Sequence, residues 1–279
     1  MDSIRNLIKK STDFLTRKGV KSPRRVAEEL LAFILNKKRI DLYFCYDAPI
    51  EPEEKKAFRE VIIRKGAKEP LAYIIGSVEF LGLDIKTTPA VLIPRNETEI
   101  LADLIVKNIS SQSLCVWDVC TGTGCLGLAV KKHCPSCKVS LSDISAAALS
   151  VAKRNADANQ LDVEFLNGDL LHPFKGRKAD IIISNPPYIK EEKYEYLEDE
   201  VRLYEPKIAL VGGLSFYHRL ENDLAAFLNK SAQVFMEIGY NNGPEIQEIF
   251  SSNTWKNQTL LQDWSGKDRF FMVEYNQIK

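Results

Sequence analysis

Residues 185–188 read Asn-Pro-Pro-Tyr, directly after the apolar run Ile181-Ile182-Ile183. The run predicts a buried strand, which places Asn185 at the C-terminal end of that strand, the edge where open α/β sheets bind ligands. Two consecutive prolines stiffen the backbone and remove two N–H donors. Each also pushes the residue before it out of the helical region. The carbonyls of Ser184, Asn185 and Pro186 are therefore not consumed by a continuing helix. What remains is a rigid rim of acceptors, the Asn185 side-chain oxygen and the Pro186 backbone oxygen, with Pro187 as a stiffener and the flat face of Tyr188 beside it. Such a rim suits a planar NH2 group that donates two hydrogen bonds while its nitrogen reacts. The alternative is a proline-rich turn after a core strand, because a tetrapeptide motif is only a hypothesis.

A second motif bears on that choice. In Leu114-Cys-Val-Trp-Asp118-Val-Cys120-Thr-Gly122-Thr-Gly124-Cys-Leu-Gly127, an apolar strand carries Asp118 and breaks into a glycine-rich loop. Gly122, Gly124 and Gly127 satisfy G-x-G-x-x-G, and an apolar helix candidate follows, which is the context that motif needs. The glycines allow a tight turn and close approach of backbone to a ligand. A further strand, Val139 to Leu141, leads to Asp143, which lies 21 residues beyond Gly122. A carboxylate at about that spacing accepts hydrogen bonds from ribose hydroxyls. Its alternative role is to cap the helix that starts near Ser145, itself a good N-cap.

NAD and S-adenosylmethionine both offer a ribose to Asp143. Asp118, four residues before Gly122, would oppose a nearby pyrophosphate but serves a cationic methionine moiety, through its ammonium or by way of water. Hydride transfer has no use for the Asn-Pro-Pro-Tyr rim, whereas methyl transfer to an amide or amine nitrogen does. The ligand is therefore read as S-adenosylmethionine, held by Asp118, the loop Cys120, Thr121, Gly122, Thr123 and Gly124, Asp143, and Asn185 at the rim. At Gly168-Asp169-Leu170, after the apolar run Val163 to Leu166, an acid at the end of a third strand is placed to accept the adenine amino group. A plain turn is the alternative there.

The elements around these residues are legible in outline. At 279 residues, 45% hydrophobic and 27% charged, the chain has the composition of a globular protein of one large or two moderate domains. It has no apolar stretch approaching the ~20 residues of a membrane span, and its N-terminal residues lack a signal-peptide apolar run. Six cysteines (45, 115, 120, 125, 134 and 137) without a secretory signal point to reduced thiols and a cytoplasmic location. Cys134-Pro-Ser-Cys137 beside His133 resembles half of a zinc site, but no second C-x-x-C pair exists. The three histidines (133, 172 and 218) lack ligand spacing, so no metal is expected.

The zero net charge hides an asymmetry: residues 1–80 carry 17 Lys and Arg against 12 Asp and Glu, and the remainder 21 against 26. Helical periodicity predicts helices over Ile4–Lys18, Val26–Asn36 and Pro52–Lys65, with apolar stripes Ile4, Leu7, Ile8; Leu30, Leu31, Ile34; and Phe58, Val61, Ile62. Their basic residues (Lys9, Lys10, Arg24, Arg25, Lys37, Lys38 and Arg39) form a solvated face, or else meet an acidic partner or RNA. Residues 72–94 alternate better and contain Gly76 and Gly82, which suit hairpin turns. The expected division is a helical substrate-binding bundle over 1–70, a linking β-hairpin over 71–94 and a methyltransferase domain over 95–279. A helix from Leu214 to Asn229, a strand from Gln233 to Ile238, and a terminal hairpin (Leu260–Gln262 and Phe270–Val273, turning at Ser265-Gly266) complete the chain. Strands alternating with helices predict an α/β fold with a mainly parallel sheet.

The combination resembles one family. Val91-Leu-Ile-Pro-Arg95-Asn-Glu97-Thr-Glu99 is similar to the signature ahead of the catalytic domain in HemK-type methyltransferases, the peptide chain release factor glutamine methyltransferases. Asp118 to Gly124, Asp143, Asn185 to Tyr188, Tyr204-Glu205-Pro206 and Met236-Glu237-Ile238-Gly239 fall in the family's order, so the resemblance spans essentially the whole chain. Asn-Pro-Pro-Tyr alone is shared with other amino-methyltransferases, including those acting on DNA. Three departures stand out: Asn96 where the family usually has proline, Cys120 where glycine is commoner, and an apparently shortened segment at Val211-Gly212-Gly213-Leu214.

The resemblance implies a class I, Rossmann-like, seven-stranded methyltransferase domain. It implies as substrate the glutamine of the Gly-Gly-Gln motif in release factors, methylated at its side-chain nitrogen N5. An amide nitrogen is a poor nucleophile because its lone pair is delocalised. Asn185 Oδ1 and the Pro186 carbonyl would hold its protons and aim the nitrogen, so that orientation carries much of the acceleration. Tyr188 would pack on the amide plane, and Arg95 and Glu97 would line the mouth of the site unless salt bridges engage them. A nucleic-acid adenine or cytosine amino-methyltransferase would use the same rim on a flipped base. Such an enzyme carries a basic footprint on its catalytic part, whereas here that part is acidic, so no direct nucleic-acid contact is expected. A nonenzymatic scaffold of the same fold would not need both motifs intact, and a dehydrogenase fits least.

Overall fold

The computed structural model describes residues 3–109 and 113–276. The chain forms two compact units, one running through Gly76 and taking in Glu198–Tyr204, the other comprising Ser77–Leu197 and the chain from Glu205 onward.

In the helical unit, α1 (Ile4–Arg17) starts where Ser3 Oγ accepts the Asn6 N–H at 3.4 Å. A proline begins both α2 (Pro23–Ile34) and α3 (Pro52–Gly66), where the missing N–H is one the helix would not have used. The apolar stripes face one another: Ile4, Leu7, Leu15, Leu30, Leu31, Phe58 and Ile62 share one buried cluster. Gly66 lies so close to Phe14 that a Cβ there would come within 2.6 Å of its ring. The carboxylate of Glu28 is buried in this unit. It accepts from Arg24 at 3.0 Å, from Arg39 at 2.9 Å and from Tyr43 at 3.0 Å. Burial raises its pKa and these donors lower it, with a net shift below the usual carboxylate range.

Residues 71–75, expected to open the hairpin, instead form a short helix, α4 (Leu71–Ile75), closed by Gly76 at φ +90°. A short apolar run has no period of its own. Here Ile74 is buried in the helical cluster with Leu71 and Ile75 packed against it, and tertiary burial decides the conformation. The hairpin is confined to β1 (Ser77–Phe80) and β2 (Leu83–Lys86), which pair antiparallel.

The second unit continues with α5 (Asn96–Asn108), β3 (Cys115–Val119), α6 (Cys125–His133), β4 (Lys138–Asp143), α7 (Ala146–Ala158), β5 (Glu164–Asn167) and β6 (Ala179–Ser184). The chain then contributes α8 (Asp199–Tyr204) to the helical unit, where Glu200 pairs with the buried Lys65 at 2.6 Å and the Tyr204 hydroxyl donates to the Ala67 carbonyl at 2.9 Å. It returns as α9 (Ser215–Phe227), β7 (Leu228–Glu237), α10 (Gly243–Ile249), β8 (Trp255–Gln262) and β9 (Asp268–Tyr275). The strand β7 is longer than its apolar core suggests; its polar first half continues the ladder past an irregularity opposite Ala179 and Ile181.

The seven strands are ordered β5-β4-β3-β6-β7-β9-β8, parallel from β5 to β7 and antiparallel at β9 and β8. Period-two alternation sorts the core onto two faces. Val116, Ile181, Ile183 and Phe235 pack with α5, α6 and the hairpin residues Phe80, Leu83 and Ile85. Trp117, Ile182, Val234 and Met236 pack with α9 and α10 on the other face, where Trp117 stacks on Phe174 at 4.0 Å. The order reverses at β3, whose neighbours are β4 and β6. Register places Val119 opposite both Ser142 and Ser184. The next residues, Cys120, Asp143 and Asn185, therefore emerge together at the C-terminal edge of the sheet, at its topological switch point.

Candidate active site

The glycine loop leaves β3 with a sharp reversal. Cys120 sits at φ +63°, Gly122 at φ +56° and Gly124 at φ +84°. The left-handed conformation at 120 explains why glycine would be favoured there. The third glycine, Gly127, serves packing: a Cβ would lie 2.1 Å from Leu141 Cδ2 and 3.1 Å from Asp118 Oδ2. Asp118 lies behind the loop, 1% exposed. Its Oδ2 accepts from the Thr121 hydroxyl at 2.6 Å and the Gly127 N–H at 2.9 Å, so it shapes the turn, while Oδ1 has no partner among the described residues. Burial pushes its carboxyl up to about 7, against the lowering effect of those two donors.

Asp143 ends β4 and accepts from Gly122 N–H through Oδ2 and from Ser145 N–H through Oδ1, each at 2.9 Å. It therefore ties the glycine loop to the neighbouring strand. The cap of α7 is made by Ser145, whose Oγ accepts from Ala148 N–H at 3.2 Å. Burial raises the Asp143 pKa, partly offset by those backbone donors.

These residues border a cavity of about 240 Å³. Cys120, Thr121, Gly122, Thr123, Asp143, Asp169, Leu170, Asn185 and Pro187 line it, with Leu126, Ile144, Ala148 and Phe216 adding apolar walls. Among the described residues, nothing stands within 4 Å of where a Gly122 Cβ would be, so backbone is presented to open space. Asp169 is paired with Arg219, which also lines the cavity and lies over the Phe216 ring. An open backbone loop, two acids from neighbouring strand ends and apolar walls suit a nucleoside whose ribose and base amino group donate to carboxylates.

At the rim, Asn185 Nδ2 donates to Thr98 Oγ1 at 3.4 Å, leaving Oδ1 as its acceptor. Thr98 in turn donates to Glu237 Oε2 at 2.7 Å, and the Tyr188 hydroxyl donates to Glu237 Oε1 at 3.2 Å. Glu237 is 1% exposed, and burial raises its pKa against the pull of Thr98, Arg269 and Tyr188. Burial likewise raises the Tyr188 phenol far above its usual value, helped by Glu237. Of the tetrapeptide, Asn185 and Pro187 line the cavity, whereas Pro186 and Tyr188 do not. Gly212 approaches Pro187 so closely that a Cβ would lie 2.5 Å from its carbonyl oxygen, which accounts for a glycine in the segment that looked shortened.

Arg95 is engaged by Glu205 at 2.5 Å, and the other Glu205 oxygen accepts the Ile93 N–H at 3.0 Å. Arg95 and Glu97 flank the cavity-lining residues Pro94 and Thr98 rather than lining it themselves. Thr98 and Glu237 were legible only as letters of longer motifs, and nothing in their spacing joins them. The signal that could have found Glu237 is an acid directly after the apolar run of β7, the same rule that picks out Asp143.

A parallel sheet reversing at β3, a glycine loop over the switch point and an acid on the next strand define a class I methyltransferase. The methyltransferase small domain family matches residues 83–201, and the PrmC N-terminal domain family matches residues 6–76. A Chlamydia trachomatis serovar D protein named release factor glutamine methyltransferase is 39% identical over 277 residues, covering 97% of this chain and 94% of its own. A Geobacter sulfurreducens protein of the same name is 35% identical over 270 residues, covering 96% and 95%. The chain belongs to the release factor glutamine methyltransferase family, and is an enzyme that uses S-adenosylmethionine. Solved structures share the fold: a Pyrococcus furiosus methyltransferase (TM-score 0.54, 20% identity, covering 71% of this chain and 90% of its own) and a ribosomal protein L11 methylase from Lactobacillus delbrueckii (TM-score 0.51, 22% identity, covering 66% and 81%).

Proposed function

We propose that the enzyme methylates the side-chain nitrogen N5 of the glutamine in the Gly-Gly-Gln motif of peptide chain release factors, in the cytoplasm. The observation that carries this reading is the polarity of Asn185. Its NH2 is turned to Thr98, so the group presented to a ligand is a carbonyl oxygen. That suits a substrate NH2 and not a substrate carbonyl. S-adenosylmethionine, when bound, supplies the electrophilic methyl group. The residues that would hold it are Cys120 to Gly124, Asp143, Asp169 and Leu170, with Asp118 setting the loop from behind. Asn185 Oδ1 and the Pro186 carbonyl hold the amide protons and aim the nitrogen, and Tyr188 with Pro187 stiffens that rim. Arg95 and Glu97 act from the flank of the mouth, Arg95 through its ion pair with Glu205.

Release factors and Gly-Gly-Gln peptides incubated with the protein and labelled cofactor, read by mass spectrometry, test this. One methyl group on the glutamine is expected, with none on DNA or RNA. Transfer to a nucleic-acid amino group and none to glutamine overturns the reading. Asn185→Ala should remove most turnover while leaving calorimetric affinity for S-adenosylhomocysteine nearly intact, and near-normal turnover would remove Asn185 from the chemistry.

A further inference from the structure

The two ends of an asparagine side chain have almost the same shape, yet one accepts and the other donates. A half-turn of the Asn185 amide would present NH2 to the substrate and oppose another NH2 group. Something must choose between these orientations. A threonine hydroxyl has one proton to give. Thr98, 2% exposed on the first turn of α5, gives its proton to Glu237 at 2.7 Å. Towards Asn185 it can then only accept, and Nδ2 is the end that faces it. At 3.4 Å that contact is the weaker of the two, so the shorter, charge-assisted bond sets the direction of both. The second Glu237 oxygen takes the Tyr188 proton, and the Glu237 backbone oxygen takes the Tyr217 hydroxyl at 2.9 Å. A buried carboxylate beneath the rim is costly unless it has such work.

We infer that Thr98 and Glu237 are positioning residues: a one-way hydrogen-bond relay, from Asn185 to Thr98 to Glu237, that fixes Asn185 Oδ1 toward the reacting nitrogen. The inference rests on the reading of Asn185 as the acceptor for the substrate amide. Glu237→Gln is the sharpest probe. A carboxamide at 237 can offer NH2 to Thr98, which frees the Thr98 proton for Asn185 and reverses the relay. Thr98→Val removes it at nearly constant volume, and Thr98→Ser keeps it.

Three measurements test the relay on the full chain. Calorimetry with S-adenosylhomocysteine should show that all three variants still bind it, which also shows that they fold. With a Gly-Gly-Gln peptide, Thr98→Val and Glu237→Gln should lose kcat by about tenfold or more while KM changes far less, and Thr98→Ser should recover it. In nitrogen-15 spectra, the Asn185 side-chain NH2 signals, assigned by their loss in Asn185→Asp, should shift in Thr98→Val and Glu237→Gln and not in Thr98→Ser. Unchanged kcat and unchanged amide signals in the first two variants overturn the relay, as does a Thr98→Ser protein no better than Thr98→Val. If the wild-type protein leaves the peptide unmethylated, the proposed function fails, and the amide signals still decide the relay.

Discussion

Asp118 and Asp143 stand on neighbouring strands, and burial acts on both in the same direction. Both carboxyls titrate above the usual range, Asp118 at about 7. For Asp118 the unfolded chain releases its proton near 3.9 and the folded chain holds it to about 7, so between those values the folded state binds more protons and stability falls as pH rises. Asp118→Asn removes this ionisation while its amide oxygen can still accept from Thr121 and Gly127. Urea unfolding from pH 4 to pH 8 should therefore show a flatter decline for the variant than for the wild-type protein. Equal slopes would mean that Asp118 is ionised at little cost. Asp143 has a different task, because both its oxygens already hold backbone N–H groups at the cavity wall. Asp143→Ala should weaken binding of S-adenosylmethionine by roughly 1.5–3 kcal/mol, through lost charge-assisted hydrogen bonds and a loop cut free at Gly122. Calorimetry reads this directly, and unaltered affinity would leave Asp143 a structural tie alone.

The elements supply what no single residue can. The contact of α6 with β4 and the loop geometry meet at Gly127, where a Cβ would sit 2.1 Å from Leu141. Gly127→Ala must push helix from strand, which overpacking experience puts at about 1–3 kcal/mol. The same shift moves the N–H that Asp118 holds, so thermal stability and cofactor affinity should fall together. A loss of stability with affinity intact would uncouple loop from helix. Two of the departures from the family pattern can also be placed here. Asn96 is the first residue of α5, a position where proline and other residues interchange because the N–H has no helical partner. Cys120 carries a side chain in the left-handed region, which is tolerated at a single residue.

At the scale of the molecule, the positive excess lies in the first 80 residues and the negative excess in the rest. We propose that the helical unit docks the release factor away from its Gly-Gly-Gln loop, since one glutamine side chain offers little binding area. Removing residues 1–70 would be a poor test, because α8 would lose Lys65 and Ala67. Charge reversal at exposed positions avoids this. Lys37→Glu with Lys38→Glu should raise KM for the whole factor and leave kcat and the short peptide unaffected, the mark of uniform binding lost. Steady-state kinetics on both substrates decide it, and equal KM values for the whole factor would make this face mere solvated surface.

Local chemistry made much of this protein legible from its sequence. Glycines that need positive φ, a Pro-Pro rim and an acid after an apolar run act within a few residues, so their spacing alone placed the loop, Asp143 and Asn185 at strand ends. The helical stripes of α1, α2 and α3 were equally plain, because an amphipathic period is written in the chain. Tertiary structure decided the rest. It turned Leu71–Ile75 into helix, since a short apolar run takes the form its burial site requires. It assigned Arg95 to Glu205, 110 residues away, and Asp169 to Arg219, 50 residues away. It also joined Thr98 to Glu237 across 139 residues and set Thr98 against Asn185. A hydrogen bond between side chains so far apart has no period and no fixed spacing; the packing of α5 against β7 brings Thr98 and Glu237 together, and with them the direction in which the Asn185 amide faces.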